Sequence, residues 1–166
     1  MNYILQTPRL QLREFNFSDA EFIIKLVNSD GWLKFIGDRN IKTSQQARDY
    51  LENGPMKSYR ENGFGLWMVE LNDSGIPIGM CGLIKRDNLD HPDIGFAFLQ
   101  EFAGKGHGFE IAGAVMGHAR KNLFLKTILA ITVPNNVNSI KLIEKLGLKY
   151  VKSFKSEHED LLLYSG

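Results

Sequence analysis

One cysteine in 166 residues, Cys81, rules out an intrachain disulfide framework, and its place in the apolar run "IPIGMCGLI" reads as an inert buried thiol rather than a nucleophile. There is no excess of one charge: 20 Lys and Arg face 19 Asp and Glu, for a net charge of +1. That balance excludes a general electrostatic drive toward nucleic acid or anionic lipid, so an anion has to be held by a local site. No apolar run approaches the roughly 20 residues a membrane helix needs. The opening "MNYILQTPRLQLREF" lacks the basic and apolar regions of a secretory signal. The four histidines, His91, His107, His118 and His158, are scattered, so no metal site is expected. Together these absences lead us to expect a cytoplasmic protein with no membrane or nucleic-acid partner.

The rest is ordinary globular composition, 43% hydrophobic and 23% charged, in a length that fits one domain over residues 1–166. "RLQLREF" alternates like a half-buried strand. Ser18 and Glu21 have the spacing of a capping box before the helical stripe Phe22, Ile23, Leu26 and Val27. Residues 28–40 read as a long connection rich in Trp32, Phe35 and Ile36, which either serves function or folds back on the core. Thr43 and Gln46 form a second capping box, starting a helix that runs irregularly through "GP" toward Asn62. "GLWMVEL" and "IPIGMCGLIKR" make a hairpin, "DIGFAFL" a third strand, and Ala112, Val115, Met116, Ala119 and Leu123 one face of a helix. "TILAITV" is a strand covered on both faces, followed by a short helix closed at Gly147 and two last strands. The fold class is therefore mixed α/β or α+β around one sheet.

Between the third strand and its helix lies "AGKGHGFE", where Gly104, Gly106 and Gly108 alternate with other residues. Glycines placed this way let backbone approach a ligand closely, and a phosphate is the leading suspicion. A P-loop fails because Gly106 follows Lys105, leaving no hydroxyl for magnesium. A dinucleotide fingerprint fails on its Gly-x-Gly-x-Gly spacing and on the missing carboxylate after the next strand. What fits is a diphosphate turn, in which successive N–H groups and the start of a helix surround the anion. A plain tight turn with left-handed glycines is the other reading of these eight residues.

"AGKGHG" resembles the Gln/Arg-x-x-Gly-x-Gly/Ala motif of the GNAT N-acetyltransferases, and "NNVNSIKLIEKLGL" resembles their second motif. "TPRLQLREF", "DIGFAF" and "NVNSIKLIEKLGL" are similar to the branch of the ribosomal-protein N-terminal acetyltransferases, the RimJ/RimL-like proteins. The likeness spans essentially the whole chain. Ala103 stands where the motif has Gln or Arg, which removes a side chain but leaves its backbone group.

The resemblance implies a single mixed, mostly antiparallel sheet with helices on both faces and two central strands that splay apart. It implies acetyl-CoA (coenzyme A) as cofactor, with pantetheine pairing along the strand near Phe98 and Leu99. Its diphosphate is expected at Ala103, Gly104, Lys105, Gly106, His107 and Gly108. The implied reaction is direct acyl transfer to a primary amine in a ternary complex. An N-terminal α-amine of a protein is the favoured acceptor, and small amines are alternatives. Acceptor residues are expected from Trp32, Phe35 and the segment to Arg39, from the second helix and from the last hairpin. Asp93 is the first candidate for the base, and Glu70 its rival. The tyrosine that many relatives use as an acid is replaced here by Ile143, so Ser139 is the candidate donor to the departing thiolate; its other role is helix capping. Asn136 is expected to hold the cofactor or a water. Lys141 and Lys145 face either a 3′-phosphate or solvent, and a homodimer is possible. A non-catalytic acyl-CoA-binding or sensing module of the same fold is the alternative to an enzyme.

Overall fold

The computed structural model describes residues 2–166. Its strands are β1 (Leu5–Gln6), β2 (Leu10–Arg13), β3 (Leu66–Leu71), β4 (Pro77–Ile84), β5 (Asp93–Phe98), β6 (Leu129–Thr132), β7 (Lys149–Lys155) and β8 (Asp160–Ser165). The helices are α1 (Ala20–Val27), α2 (Asp30–Phe35), α3 (Ser44–Leu51), α4 (Lys57–Asn62), α5 (His107–Asn122) and α6 (Val137–Lys145). The strands form one sheet in the order β1-β2-β3-β4-β5-β6-β8-β7, antiparallel at every neighbour except β5 and β6.

Alternation along the strands builds two cores. Trp67 and Val69 of β3, with Ile78 and Cys81 of β4, face Ile111, Val115, Met116 and Ala119 of α5 on one side. Met68 and Met80 point the other way, to Ile23, Leu26, Ala47 and Leu51 of α1 and α3. Helices therefore cover both faces, and burial pushes the Cys81 thiol pKa well up, which keeps it inert.

Local expectations are corrected in three places. The capping box at the first helix is Asn16 with Asp19, around a 3₁₀ turn over Phe17–Asp19, and not Ser18 with Glu21. Asp19 turns inward because Arg13 binds both of its carboxylate oxygens at 2.9 Å, which moves the turn two residues earlier. Residues 28–40 are not all loop, since α2 forms within them and buries Trp32. The strand expected over residues 9–15 is shorter, while β1 adds a strand before it. The box at Thr43 and Gln46 forms, and the helix after it passes through a π segment, Glu52–Met56, at Pro55 before α4.

One pairing decides the rest. β5 and β6 meet in register only at Asp93 and Leu129, and beyond that pair the strands diverge. The Leu129 N–H donates to the Pro92 carbonyl at 2.9 Å. The Leu99 N–H donates to Ile78 at 2.9 Å, so by strand alternation the backbone groups of Phe96 and Phe98 face the gap rather than β4. The sheet is thus forked at its centre.

Candidate active site

The glycine turn stands at the open end of the fork. Gly104 and Gly106 both sit in the left-handed region, at φ of +74° and +82°. A Cβ on Gly104 would meet nothing within 4 Å, so backbone conformation, not protein crowding, demands glycine there. Gly108 has another reason. It lies in the first turn of α5, where a Cβ would come within 3.2 Å of Leu142 and 3.5 Å of Phe98.

The first helical bond of α5 runs from the Glu110 N–H to the Gly106 carbonyl at 3.1 Å. The N–H groups of Gly104 through Phe109 therefore have no backbone acceptor among the described residues, and Gly106 offers no side-chain cap. Successive free N–H groups at a helix start make an anion cradle. That arrangement fits a diphosphate. Ala103 differs, because its N–H already donates to Gln100 at 3.0 Å. Leu99 is likewise withdrawn: its N–H is bound to Ile78, its carbonyl accepts from Phe102, and its side chain is buried. His107 is buried rather than exposed on a turn, with Nδ1 3.2 Å from the Phe102 carbonyl oxygen. Lys105 lies 5.9 Å from the Phe102 ring, and Lys145 lies 4.2 Å from the Phe109 ring.

A brace that sequence reading missed holds this turn from the N-terminal strand. Arg9 donates through Nη1 to the Lys105 carbonyl at 2.8 Å and through Nε to Glu110 Oε1 at 2.7 Å. Glu110 Oε2 also accepts from the Arg9 N–H at 3.0 Å and from the Thr7 hydroxyl at 2.6 Å. Partial burial pushes the Glu110 carboxyl pKa up, but the bonds from Thr7 and Arg9 outweigh it and hold the group below its ordinary range. A carboxylate in the first turn beside an anion site is thereby neutralised. "TPR" between β1 and β2 was the available signal, but nothing local shows what it touches.

The groove continues along the fork as two adjoining cavities of about 320 and 300 Å³, both lined by Trp32, Phe35, Phe96, Asn136 and Ser139. The smaller reaches Gly104, Gly106 and Gly108. The larger takes in Asp93, Arg86, Arg39, Tyr50, Glu159 and Leu161. Ile143 lines the larger cavity and packs into the core. Asp93 is 1% exposed at the vertex of the fork. Arg86 grips both its oxygens, Nε to Oδ1 at 2.9 Å and Nη2 to Oδ2 at 3.3 Å. Burial raises the Asp93 pKa, and Arg86 opposes the rise.

Glu70 is not brought to this groove. It is buried against Arg13, 2.9 Å from its Nε, and Gln11, 3.0 Å away. Arg13 joins it to Asp19 beneath α1, and this pairing pushes the guanidinium pKa further up. At the start of α6 the cap is Asn136, whose Oδ1 accepts the Ser139 N–H at 3.2 Å. The Ser139 hydroxyl therefore does no capping, and it has no hydrogen-bond partner among the described residues.

A sheet forked between its central parallel strands, with free N–H groups at one end and a buried carboxylate at the vertex, has the shape and chemistry that a long phosphorylated acyl carrier would fit. Residues 9–149 match the family model described as an acetyltransferase (GNAT) domain. YnaD of Bacillus subtilis strain 168, an uncharacterized N-acetyltransferase, is 24% identical over 151 residues, covering 91% of this chain and 85% of YnaD. An acetyltransferase from Agrobacterium tumefaciens strain C58 superposes with a TM-score of 0.84 at 22% identity, covering 100% of this chain and 94% of its own. RimL, a ribosomal L7/L12 α-N-protein acetyltransferase solved in complex with coenzyme A, superposes with a TM-score of 0.86 at 14% identity, covering 99% and 97%. The chain belongs to the GNAT acetyltransferase family. It is an acetyl-CoA-dependent N-acetyltransferase of the fold shared with the RimJ/RimL-like branch.

Proposed function

We propose that this acetyltransferase modifies a primary amine, with a protein N-terminal α-amine as the favoured acceptor and a small amine otherwise, by direct transfer in a ternary complex. The observation that carries the reading is the fork itself, since β5 and β6 separate after the Asp93–Leu129 pair and leave a groove open to both reactants. Acetyl-CoA supplies the activated acetyl thioester.

The N–H groups of Gly104 to Phe109 hold the diphosphate, with Lys105 and His107 beside it. The outward backbone groups of Phe96 and Phe98 pair with the extended arm as an added strand would. Asn136 keeps its side-chain amide nitrogen for the cofactor or a water, because only Oδ1 is used in the cap. Trp32 and Phe35 seat the acceptor. Asp93 takes the amine's proton, directly or through water, and burial makes it more basic than an exposed carboxylate. The Ser139 hydroxyl donates to the departing sulfur.

Calorimetric titration of the stripped protein with acetyl-CoA, with NAD as control, followed by thiol release across an amine panel, tests the reading. Micromolar binding, about −8 kcal/mol, together with amine-dependent release, is expected. Binding without release from any amine would instead describe a sensing module, and no binding would reduce the glycines to a tight turn.

A further inference from the structure

Around the acceptor side of the groove stand three hydrogen-bond donors with no protein acceptor among the described residues, one of them, Trp32, bordering both cavities. Trp32 is 6% exposed, and its indole Nε1–H is buried with no partner among the described residues. Tyr50 and Arg39 line the same cavity. Arg39 is exposed and Tyr50 half-buried, and neither the guanidinium nor the phenol has a protein hydrogen-bond or ion-pair partner among the described residues, which leaves both open to water or a ligand. Burial raises the Tyr50 pKa, and the charge of Arg39 opposes that rise. The remaining charges facing the cavity are Arg86 and Asp93, bound to each other, and Glu159 of the last hairpin.

An indole N–H and a guanidinium only donate, and a guanidinium keeps its charge at any working pH. A buried donor without an acceptor is destabilising and rare, and of the three the Trp32 N–H is such a donor, whereas Arg39 and Tyr50 meet water and can exchange it for a ligand. A carboxylate matches this set, because its two oxygens accept several bonds at once and carry the opposite charge. A protonated polyamine offers no acceptor atom, and it would be repelled by Arg39.

Resting on the acetyltransferase reading above, we propose that the acceptor amine also carries a carboxylate, which Arg39, Tyr50 and Trp32 bind on the wall formed by α2, α3 and the segment that joins them. Glu159 then faces the ammonium end as the acceptor enters. The carboxylate belongs either to a free amino acid or to an acidic side chain next to a peptide N-terminus.

The test is thiol release with matched acceptors: amino acids against their amides, and peptides with Asp or Glu at the second position against the Asn or Gln forms. We expect kcat/KM to favour the carboxylate by about tenfold or more in one of the two series. The series that discriminates identifies the source. Arg39→Gln should bring the ratio near one and Arg39→Lys should restore part of it, with acetyl-CoA affinity by calorimetry reporting an intact donor site. Trp32→Phe, which removes the N–H donor together with part of the buried ring, should lower the same ratio, with a denaturant melt reporting the lost packing separately.

Equal turnover of carboxylate and amide forms, or spermidine outperforming both, overturns the inference while acetyl transfer stands. So does a Trp32→Phe variant that loses acetyl-CoA affinity and keeps the ratio, because the N–H then serves the donor. Acetyl-CoA binding with no thiol release from any amine overturns both this inference and the function it rests on.

Discussion

Asp93 holds the vertex of the fork and is also the base proposed above. It occupies the only register pair between β5 and β6, and Arg86 holds both its oxygens. If it removes the acceptor's proton, Asp93→Asn should lower kcat/KM by about 10²–10⁴-fold near neutral pH. The loss should shrink at alkaline pH, where free amine is abundant. An equal loss across the profile would make Asp93 a clamp at the vertex and nothing more. Arg9 acts differently, through the turn it braces. Arg9→Ala should raise KM for acetyl-CoA several-fold with kcat little changed, and cost at most about 1 kcal/mol of stability, since the pair with Glu110 is partly exposed. Adding Glu110→Gln should recover part of the affinity by removing the uncompensated charge. A kcat loss with KM unchanged would contradict the brace.

At the scale of elements, the β5–turn–α5 unit carries the anion cradle, and its glycines separate two kinds of constraint. Gly104→Ala places a methyl group where the protein has open space, at a strained positive φ, so about 1–2 kcal/mol of stability should be lost. Its acetyl-CoA affinity should fall further than this strain explains, because the open space is where the diphosphate is proposed to sit. Calorimetry showing wild-type affinity in a folded Gly104→Ala protein would place the diphosphate elsewhere. Gly108→Val instead drives α5 against Leu142 of α6 and Phe98 of β5, so denaturant melts should show about 1–3 kcal/mol of destabilisation even without ligand.

For the molecule as a whole, the buried Arg13, Asp19 and Glu70 cluster joins the sheet to the layer of α1 and α3, away from the groove. Glu70→Gln leaves Arg13 paired with both Asp19 oxygens and weakens only the bonds from Arg13 Nε and Gln11, so it should destabilise by about 1–3 kcal/mol while the folded fraction keeps its acetyl-CoA affinity. A Glu70→Gln enzyme of normal stability that cannot turn over would restore Glu70 as a base. Stability should also depend on pH through Asp93. Its folded pKa lies above the unfolded value of about 3.9, so its contribution is fully present below that value and is lost as pH rises through the folded pKa. Urea melts of wild type and Asp93→Asn should therefore shift in favour of the variant as pH rises from about 4.

The sequence by itself determined the elements whose signals are local. The alternation in β3 and β4, the apolar face of α5, the Thr43 box and the stripe of α6 can be read because burial of one face sets the period of each element. The alternating glycines likewise marked the turn before α5. Only the tertiary structure decided that Arg9 reaches Glu110 across 101 residues, that Arg86 closes on Asp93, that Glu70 faces away from the groove, and that the sheet opens at β5 and β6. These depend on which strands become neighbours and where their pairing stops. Periodicity tells a residue which side of its strand is buried, but what it meets there is set by the closure of the whole sheet.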